Sequence, residues 1–315
     1  MVATVRTVLG DVAAADLGVC YAHEHLVIDG GVPKIINPEI SLQDETAAVT
    51  ELGDCAHAGV RAVVDAMPAD AGRNVVKLAA ISRAAGVHVV VATGLHHARY
   101  YGERHWGEVL DPEELADLFV ADVTDGVDAL DYGGPVLRRT AHRAGVVKVA
   151  GSAGGLTHRD RRLFAAAVLT ARRTGVAVLT HCEGGQGGVE QVEVLAGHGV
   201  DPGRVVLSHT DKVPDLGYHR ALLATGANVV YDQGIRTPDD TERLVRAAVE
   251  AGYGDQVLLG TDGARRSLWR VLGGRPGLAA LRTDLGTRLA AALGPDVDRL
   301  WVTNPARILA LAVAP

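Results

Sequence analysis

The sequence predicts a single (β/α)8 barrel, or TIM barrel, with a short N-terminal β-hairpin and an extra C-terminal helix. Eight short apolar segments recur at fairly even spacing, and amphipathic stretches alternate with them. The chain has 315 residues. A TIM barrel typically needs about 250 residues, so one domain over residues 1–315 fits better than two. The predicted strands are VCYAHEHLVI, RAVVDAM, VHVVVATG, VVKVAGS, VAVLTHCE, RVVLSHT, ANVVYDQ and VLLGTDG.

The elements follow one another in a regular order. Residues 1–18 are expected to form a hairpin that closes one end of the barrel. The strands after it are β-branched and apolar on both faces, as in a parallel sheet covered by helices. A repeated Ala-Gly-Val or Thr-Gly-Val phrase predicts the helix-to-strand turns, because Gly commonly ends a helix. These phrases stand at 58–60, 85–87, 144–146 and 174–176, and helices are predicted at 44–59, 74–86, 159–175, 189–199 and 237–252.

The connection after the third strand is long, from about residue 96 to residue 144. It is expected to hold an active-site loop (HHARYYGERHW), a helix (PEELADLFVADV) and a further helical turn. Long loops of this kind usually shape the substrate pocket of a barrel. Two helices, at 277–293 and 297–311, complete the outer ring.

Composition excludes several classes of protein. The net charge is -7 and no cluster of Lys and Arg is long enough to indicate nucleic-acid binding. The three cysteines, Cys20, Cys55 and Cys182, lack zinc-ribbon spacing and indicate a reducing compartment. The N-terminus lacks the features of a signal peptide, and no stretch is apolar enough to span a membrane. A cytoplasmic location is therefore expected.

Metal-binding residue types stand at the ends of five predicted strands, or just within them. A parallel barrel gathers the carboxyl ends of its strands around one pocket, so residues far apart in sequence would meet there. Within His23-Glu24-His25, both imidazoles can face the interior while Glu24 points away, because residues i and i+2 of a strand share a face. The full set is His23, His25, Lys148, His181, His209 and Asp262.

Each member of this set also has an ordinary interpretation. A lone histidine at a strand end, such as His181 or His209, is often a hydrogen-bonded polar residue, and Asp262 before Gly is a common turn residue. A buried Lys148 ammonium would cost several kcal/mol, as burial of an ion generally does, unless it is paired, neutralised or modified. Its partner could be Asp65 or Asp232. Six such residues at equivalent positions argue against coincidence.

The set resembles the phosphotriesterase family of the amidohydrolase superfamily. The matching phrases are YAHEHLVID, AGVVKVAGS, LTHCEGG, LSHTD and LLGTD, in the family's order through nearly the whole chain. The resemblance implies a buried metal on His23, His25 and Asp262, and a more exposed metal on His181 and His209. It implies that Lys148 is carboxylated and bridges the two metals together with a hydroxide. Zinc suits these ligands best, with manganese, cobalt or iron as alternatives.

The resemblance also implies a mechanism. Two cations lower the pKa of the bridging water, so that a hydroxide can attack the substrate near neutral pH. Asp262 would accept the proton and pass it to the leaving group. A homodimer is a further implication of the resemblance.

Three arginines indicate an anionic substrate. Arg236 lies in the loop after the seventh strand, and Arg265 and Arg266 lie in the loop after the eighth, where TIM barrels often bind phosphate. A resemblance to the branch of the family that hydrolyses phosphorylated sugar lactones lies in the segments YDQGIR, GTDGARRSLWRVLGGRPG, HTDKVPDLGYH and YYGERHW. Alternatively, Arg265 and Arg266 pair with helix carboxylates outside the pocket.

The predicted function is hydrolysis of a phosphorylated or otherwise anionic sugar lactone. The alternatives are hydrolysis of an organophosphate triester, hydrolysis of an acyl-homoserine lactone, and a barrel that binds without catalysis. The acyl-homoserine lactone ranks lower because it needs a long apolar channel, whereas the loops here are rich in Gly and Arg. An inactive barrel ranks last because all six ligand positions are intact.

Overall fold

The computed structural model describes residues 2–102 and 104–312, so Met1, residues 313–315 and Glu103 of the predicted active-site loop lie outside it. It contains eight consecutive parallel strands in one sheet and an antiparallel N-terminal hairpin. The hairpin strands are β1 (Thr4–Thr7) and β2 (Gly10–Ala13). The sheet strands are β3 (Cys20–Glu24), β4 (Ala62–Asp65), β5 (His88–Gly94), β6 (Val146–Gly151), β7 (Ala177–Cys182), β8 (Val205–Ser208), β9 (Asn228–Tyr231) and β10 (Val257–Leu259).

The helices alternate with these strands and confirm the predicted barrel. They are α1 (Gly31–Ile36), α2 (Glu45–His57), α3 (Val75–Ala85), α4 (Trp106–Val109), α5 (Pro112–Thr124), α6 (His158–Thr174), α7 (Gly188–Gly197), α8 (Leu216–Ala224), α9 (Pro238–Glu250), α10 (Gly286–Leu293) and α11 (Asn304–Leu309). Each of the last two follows a π-helical segment. No described helix is both long enough and apolar enough to cross a membrane.

The sequence patterns missed some local features. They did not indicate α1 or α8. The long connection after the third predicted strand contains a further helical turn, α4, as expected. Residues 125–143 make turns and a single bridge between Asp128 and Arg139. Gly145 therefore does not end a helix. It is needed because a Cβ there would lie 2.3 Å from the Arg6 carbonyl oxygen.

The inward face of the strands explains how the site residues are placed. In β7, Ala177 and Leu179 belong to the apolar cluster inside the barrel, and His181 is the next residue on that face. Val178 packs outward against the helices. The same two-residue period leads from interior valines to Lys148 of β6, Ser208 of β8 and Asp232 just after β9. Apolar residues thus fill the barrel, and polar ones lie at its carboxyl end.

The barrel closes between β3 and β10. The amide nitrogens of Thr261 and Asp262 donate to the His23 carbonyl oxygen at 3.2 and 3.0 Å. Gly260 permits this approach, because a Cβ there would lie 2.8 Å from the His23 backbone. The Glu24 carboxylate faces outward, as predicted, and accepts hydrogen bonds from the Thr261 amide at 2.7 Å and from the Thr261 hydroxyl.

The opposite end of the barrel is plugged by both ends of the chain. Val5 of the hairpin and Leu17 after it are fully buried in the interior cluster. Ile308 and Leu309 of α11 join the same cluster. The hairpin therefore closes one end of the barrel, as the sequence predicts, and leaves the carboxyl end as the open one.

Candidate metal centre and substrate pocket

A cavity of about 370 Å³ opens at the carboxyl ends of the sheet strands. Polar donors form its floor, and apolar side chains of the β3–α2 connection form one wall. All six residues of the sequence-predicted ligand set line this cavity: His23, His25, Lys148, His181, His209 and Asp262. The structure therefore brings together residues that are up to 239 positions apart.

The first group of donors consists of His23, His25 and Asp262. The Asp262 Oδ1 atom lies 3.4 Å from His25 Nε2 and 3.9 Å from His23 Nε2. One ligand atom from each of the three residues lies within 4.8 Å of the others. Asp262 has a φ of 45°, in the left-handed region that costs a non-glycine residue about 1–3 kcal/mol. Such strain is typical of a functional position held by its surroundings.

Asp232 is a buried carboxylate that the sequence analysis considered only as a partner of Lys148. It follows β9 and accepts from His23 Nδ1 at 2.9 Å, and from Nδ1 and the amide of His209, both at 3.0 Å. These bonds orient two imidazoles and leave their Nε2 atoms free for a metal. Asp232, like Asp262, comes directly after an apolar strand, and this pattern could have identified Asp232 as a site residue from the sequence.

Lys148 lies beneath the second group, formed by His181 and His209, whose ring centroids are 4.4 Å apart. Only 1% of Lys148 is exposed, and its Nζ donates to Ser208 Oγ at 3.1 Å. The two carboxylates suggested as its partners are used elsewhere. Asp65 accepts from backbone amides at 2.7 and 3.1 Å, and Asp232 binds the two histidines.

The pKa shifts of the buried donors favour the protonation states in which they can bind a metal. Burial lowers the pKa of Lys148 to about 8, although Asp232 opposes the shift. Burial and the charge of Lys148 lower the pKa of His23 to about 3, and burial also lowers that of His181. Burial would raise the pKa of Asp262, but His209 and His25 hold it below its usual value.

Neutral imidazoles and an ionised carboxylate are the donors that zinc and similar cations require. The Nε2 atoms of His23 and His25 both lie within 4 Å of Asp262 Oδ1, so the donors of all three residues converge on one point. The residues present therefore fit a metal centre.

The three predicted substrate-binding arginines occupy different places. Arg236 lines the cavity, but its guanidinium donates to the backbone carbonyls of Thr261 and Asp262 at 2.7 and 2.6 Å. Arg265 is exposed and lines the cavity. Arg266 is not among the lining residues, and it donates to the Ser41 carbonyl at 3.3 Å. Its position does not support direct contact with a substrate.

Several lining residues were not assigned to the site from sequence. They include Lys212 after β8, His96 and Arg99 in the long loop after β5, and Glu183 after β7. Tyr100 also lines the cavity, whereas the Tyr101 hydroxyl is buried against the backbone of Ala69 and His96. A signal was present for Lys212 and Glu183, because each lies within three residues of a predicted ligand.

Comparison with known proteins identifies the family. The model of the Phosphotriesterase family matches residues 3–309. The chain belongs to this family. The resemblance found in the motifs is thereby confirmed.

The chain is also similar to individual named proteins and to a solved structure. A phospho-furanose lactonase from Mycoplasmopsis agalactiae is 30% identical over 232 residues, which cover 72% of this chain and 66%, just under two thirds, of that protein. Another from Mycoplasmopsis synoviae is 28% identical over 322 residues, covering 97% and 91% of the two chains. The crystal structure of an amidohydrolase from Mycoplasma synoviae superimposes with a TM-score of 0.95 at 26% identity, covering 99% of this chain and 93% of that one.

Proposed function

We propose that this protein is a dinuclear metal-dependent hydrolase that opens the ring of a phosphorylated sugar lactone. The observation that carries the proposal is the convergence of two histidine groups and Asp262 around buried Lys148. The mouth above them is lined by Lys212 and Arg265, which have no ion-pair partner among the described residues. The phospho-furanose lactonase names of two relatives support the same substrate class.

The residues of the floor have distinct proposed roles. His23, His25 and Asp262 would hold one cation, and His181 and His209 a second. Lys148, with its pKa lowered to about 8, has a neutral fraction that can add carbon dioxide and release a proton. The resulting carbamate would supply a further carboxylate ligand for the cations. Bound zinc, or another divalent cation, would supply Lewis acidity and lower the pKa of water in the cavity.

Side chains of the protein carry out the remaining steps, which move a proton and position its acceptor. Asp262 remains ionised because nearby histidines lower its pKa, so its carboxylate can accept the proton of the attacking water and return it to the alcohol that leaves. Arg236 contacts the backbone carbonyl of Asp262 and lies 3.8 Å from its Oδ2. It thereby positions the acceptor carboxylate at the cavity.

The mouth of the cavity suits a phosphate. Lys212 and Arg265 line it, and neither has an ion-pair partner within 4 Å among the described residues. Free cations at a pocket mouth attract phosphate and form charge-assisted hydrogen bonds with it. Arg99 also lines the cavity, but it is paired with Glu183 at 2.9 Å.

Hydrolysis of a phosphotriester is the alternative that has a structural observation in its favour. One wall of the cavity is apolar, formed by Ile28, Pro33, Ile36 and Ile40. Such a wall could hold the alkyl or aryl groups of a neutral triester. It would leave the cations at the mouth without a role.

A pH-indicator hydrolysis assay on zinc-loaded protein tests the proposal. Aldonolactones, their phosphorylated forms and an aryl phosphotriester are compared side by side. We expect the phosphorylated lactones to be hydrolysed far faster than the triester. Fast triester hydrolysis with inert lactones would overturn the proposal in favour of the alternative.

A further inference from the structure

A second cluster of metal-binding side chains lies beside the cavity, and two of its three members, His181 and Glu183, line the cavity. We call His97, His181 and Glu183 the rim cluster. Glu183 Oε2 lies 2.8 Å from His181 Nε2 and 3.2 Å from His97 Nε2. One ligand atom from each residue lies within 4.8 Å of the others. The rim cluster shares His181 with the proposed centre, but His97 and Glu183 have no part in it.

His97 provides independent evidence for a ligand. Its residue is only 7% exposed, and its buried Nε2 atom lies 3.2 Å from Glu183 Oε2 but is not aligned for a hydrogen bond with it or with any other described residue. A buried polar atom left unsatisfied costs about 1–3 kcal/mol. A cation between His97 and Glu183 would satisfy this nitrogen.

We propose that the rim cluster is an accessory site for a divalent cation of the zinc type. Two imidazoles and one carboxylate are a common protein ligand set for zinc, and the open side of the cavity leaves room for water as a further ligand. The site itself depends only on the rim cluster. Its effect on catalysis, described below, rests on the proposed function.

Arg99 competes for this site. Its guanidinium lies 2.9 Å from Glu183 Oε2, where it already balances the carboxylate charge. The Arg99 side chain is 50% exposed, so it can turn into solvent at little cost. The accessory site is therefore weaker than the main centre and fills only when zinc is in excess.

Filling the rim cluster would inhibit the enzyme. His181 would then hold the accessory cation through Nε2, the nitrogen that faces Glu183. It could hold the second catalytic metal only through Nδ1, after its ring proton is released to water, so its binding to that metal is altered. The added positive charge also lies at the entrance to the cavity. Excess zinc should therefore lower activity reversibly, and removal of the excess should restore it.

Equilibrium dialysis against zinc, followed by metal analysis, tests the site without reference to activity. The wild-type protein should bind one further equivalent beyond those of the main centre. Glu183→Gln and His97→Asn should weaken this last equivalent by about tenfold or more, since even indirect partners of a metal contribute about 10–100-fold to affinity. Arg99→Ala should shift its affinity in the opposite direction, because the competing cation is gone.

The opposite changes in zinc affinity expected for Glu183→Gln and Arg99→Ala distinguish a metal site from a purely structural cluster. Loss of the equivalent in Glu183→Gln, together with tighter binding in Arg99→Ala, supports the proposal. Unchanged zinc binding in Glu183→Gln, or no gain in Arg99→Ala, overturns it. The visible spectrum of the cobalt-loaded variants gives a second readout in the same directions.

Activity assays separate this proposal from the proposed function. In Glu183→Gln, excess zinc should inhibit lactone hydrolysis only at concentrations about tenfold or more above those that inhibit the wild type. If the protein hydrolyses none of the lactones, the proposed function fails while the dialysis result still decides the accessory site. If zinc inhibits the wild type and Glu183→Gln at the same concentrations, the accessory site has no role in regulation.

Discussion

Individual residues of the site obtain their chemistry from their neighbours. Asp232 fixes the rings of His23 and His209 through their Nδ1 atoms, which leaves Nε2 available on both. Burial lowers the pKa of Lys148 to about 8, so the amine has a larger neutral fraction near neutral pH than an exposed lysine has. These effects depend on side chains from four different strands, and each can be tested by substitution.

Replacing Asp262 tests the proton acceptor. Asp262→Asn retains the size of the side chain but removes the charge, so we expect the rate of hydrolysis to fall about 100-fold or more. The measurement is kcat on a phosphorylated lactone, with metal content and circular dichroism as controls for the centre and the fold. Normal turnover in a correctly folded variant would exclude Asp262 as the acceptor.

Replacing Lys148 tests the bridging ligand. Lys148→Ala should lose both metal and activity, because no carboxylate can then form between the two histidine groups. Added short carboxylic acids should restore part of both, since they can occupy the space of the missing group. Full activity in the variant without any added acid would remove Lys148 from the mechanism.

Adjacent arginines provide a matched pair for the phosphate site. Arg265→Ala should raise KM for a phosphorylated lactone about tenfold or more, because a hydrogen bond to a charged group contributes about 1.5–3 kcal/mol. Arg266→Ala should have little effect, since Arg266 contacts Ser41 instead of the cavity. The comparison is repeated with the dephosphorylated lactone. Equal effects of Arg265→Ala on both substrates would exclude a role in phosphate binding.

At the scale of elements, the junction of β3 and β10 positions one donor group. The pairing of β3 with β4 shifts its register between Tyr21 and Glu24, near the point where His23 and His25 turn toward the cavity. Glu24 lies between these histidines in sequence but faces the other way and binds Thr261. The residue next to Thr261 is Asp262, so this junction sets the distance between the histidines and the aspartate.

Removing the Glu24 carboxylate should weaken this junction. We expect Glu24→Ala to lower the free energy of unfolding by about 1–3 kcal/mol, because buried hydrogen bonds of the Thr261 amide and hydroxyl are lost. The midpoint of urea unfolding of the metal-free protein measures the effect. Thr261→Val is the control, since it removes only the hydroxyl bond and should cost less. A wild-type midpoint in Glu24→Ala would contradict a stabilising role for this contact.

At the scale of the whole molecule, bound metals would connect strands from both halves of the chain. The proposed ligands lie on or just after β3, β6, β7, β8 and β10, so cations that bind only the folded barrel stabilise all of these strands together. The homodimer implied by the family resemblance stays a prediction, and light scattering coupled to size-exclusion chromatography would measure it.

Removing the metals should therefore destabilise the protein as well as inactivate it. Dialysis against a chelator should lower Tm by several degrees, because a ligand at about 100 times its dissociation constant contributes about 2.7 kcal/mol to stability. Adding zinc back should restore both Tm and activity. An unchanged Tm after measured loss of metal would show that the cations do not hold the strands together.

The sequence alone supported the barrel and the six candidate ligands. Alternation of strands and helices is a local pattern, and residues at the carboxyl ends of parallel strands must meet once the barrel closes. Thus His23 and Asp262 could be assigned to one pocket from their positions after apolar strands. The family motifs then supplied a specific interpretation of Lys148.

Only the tertiary structure decided which groups touch. Hydrogen bonds and side-chain directions depend on distances between strands, and local sequence does not encode these. Asp232 thus emerged as the partner of two histidines, and Lys212 emerged as a lining residue. Arg265 and Arg266 are neighbours in sequence, yet one faces the cavity and the other contacts Ser41, because the loop after β10 turns between them. Sequence determined where the carboxyl-end residues gather, and packing determined what each of them binds.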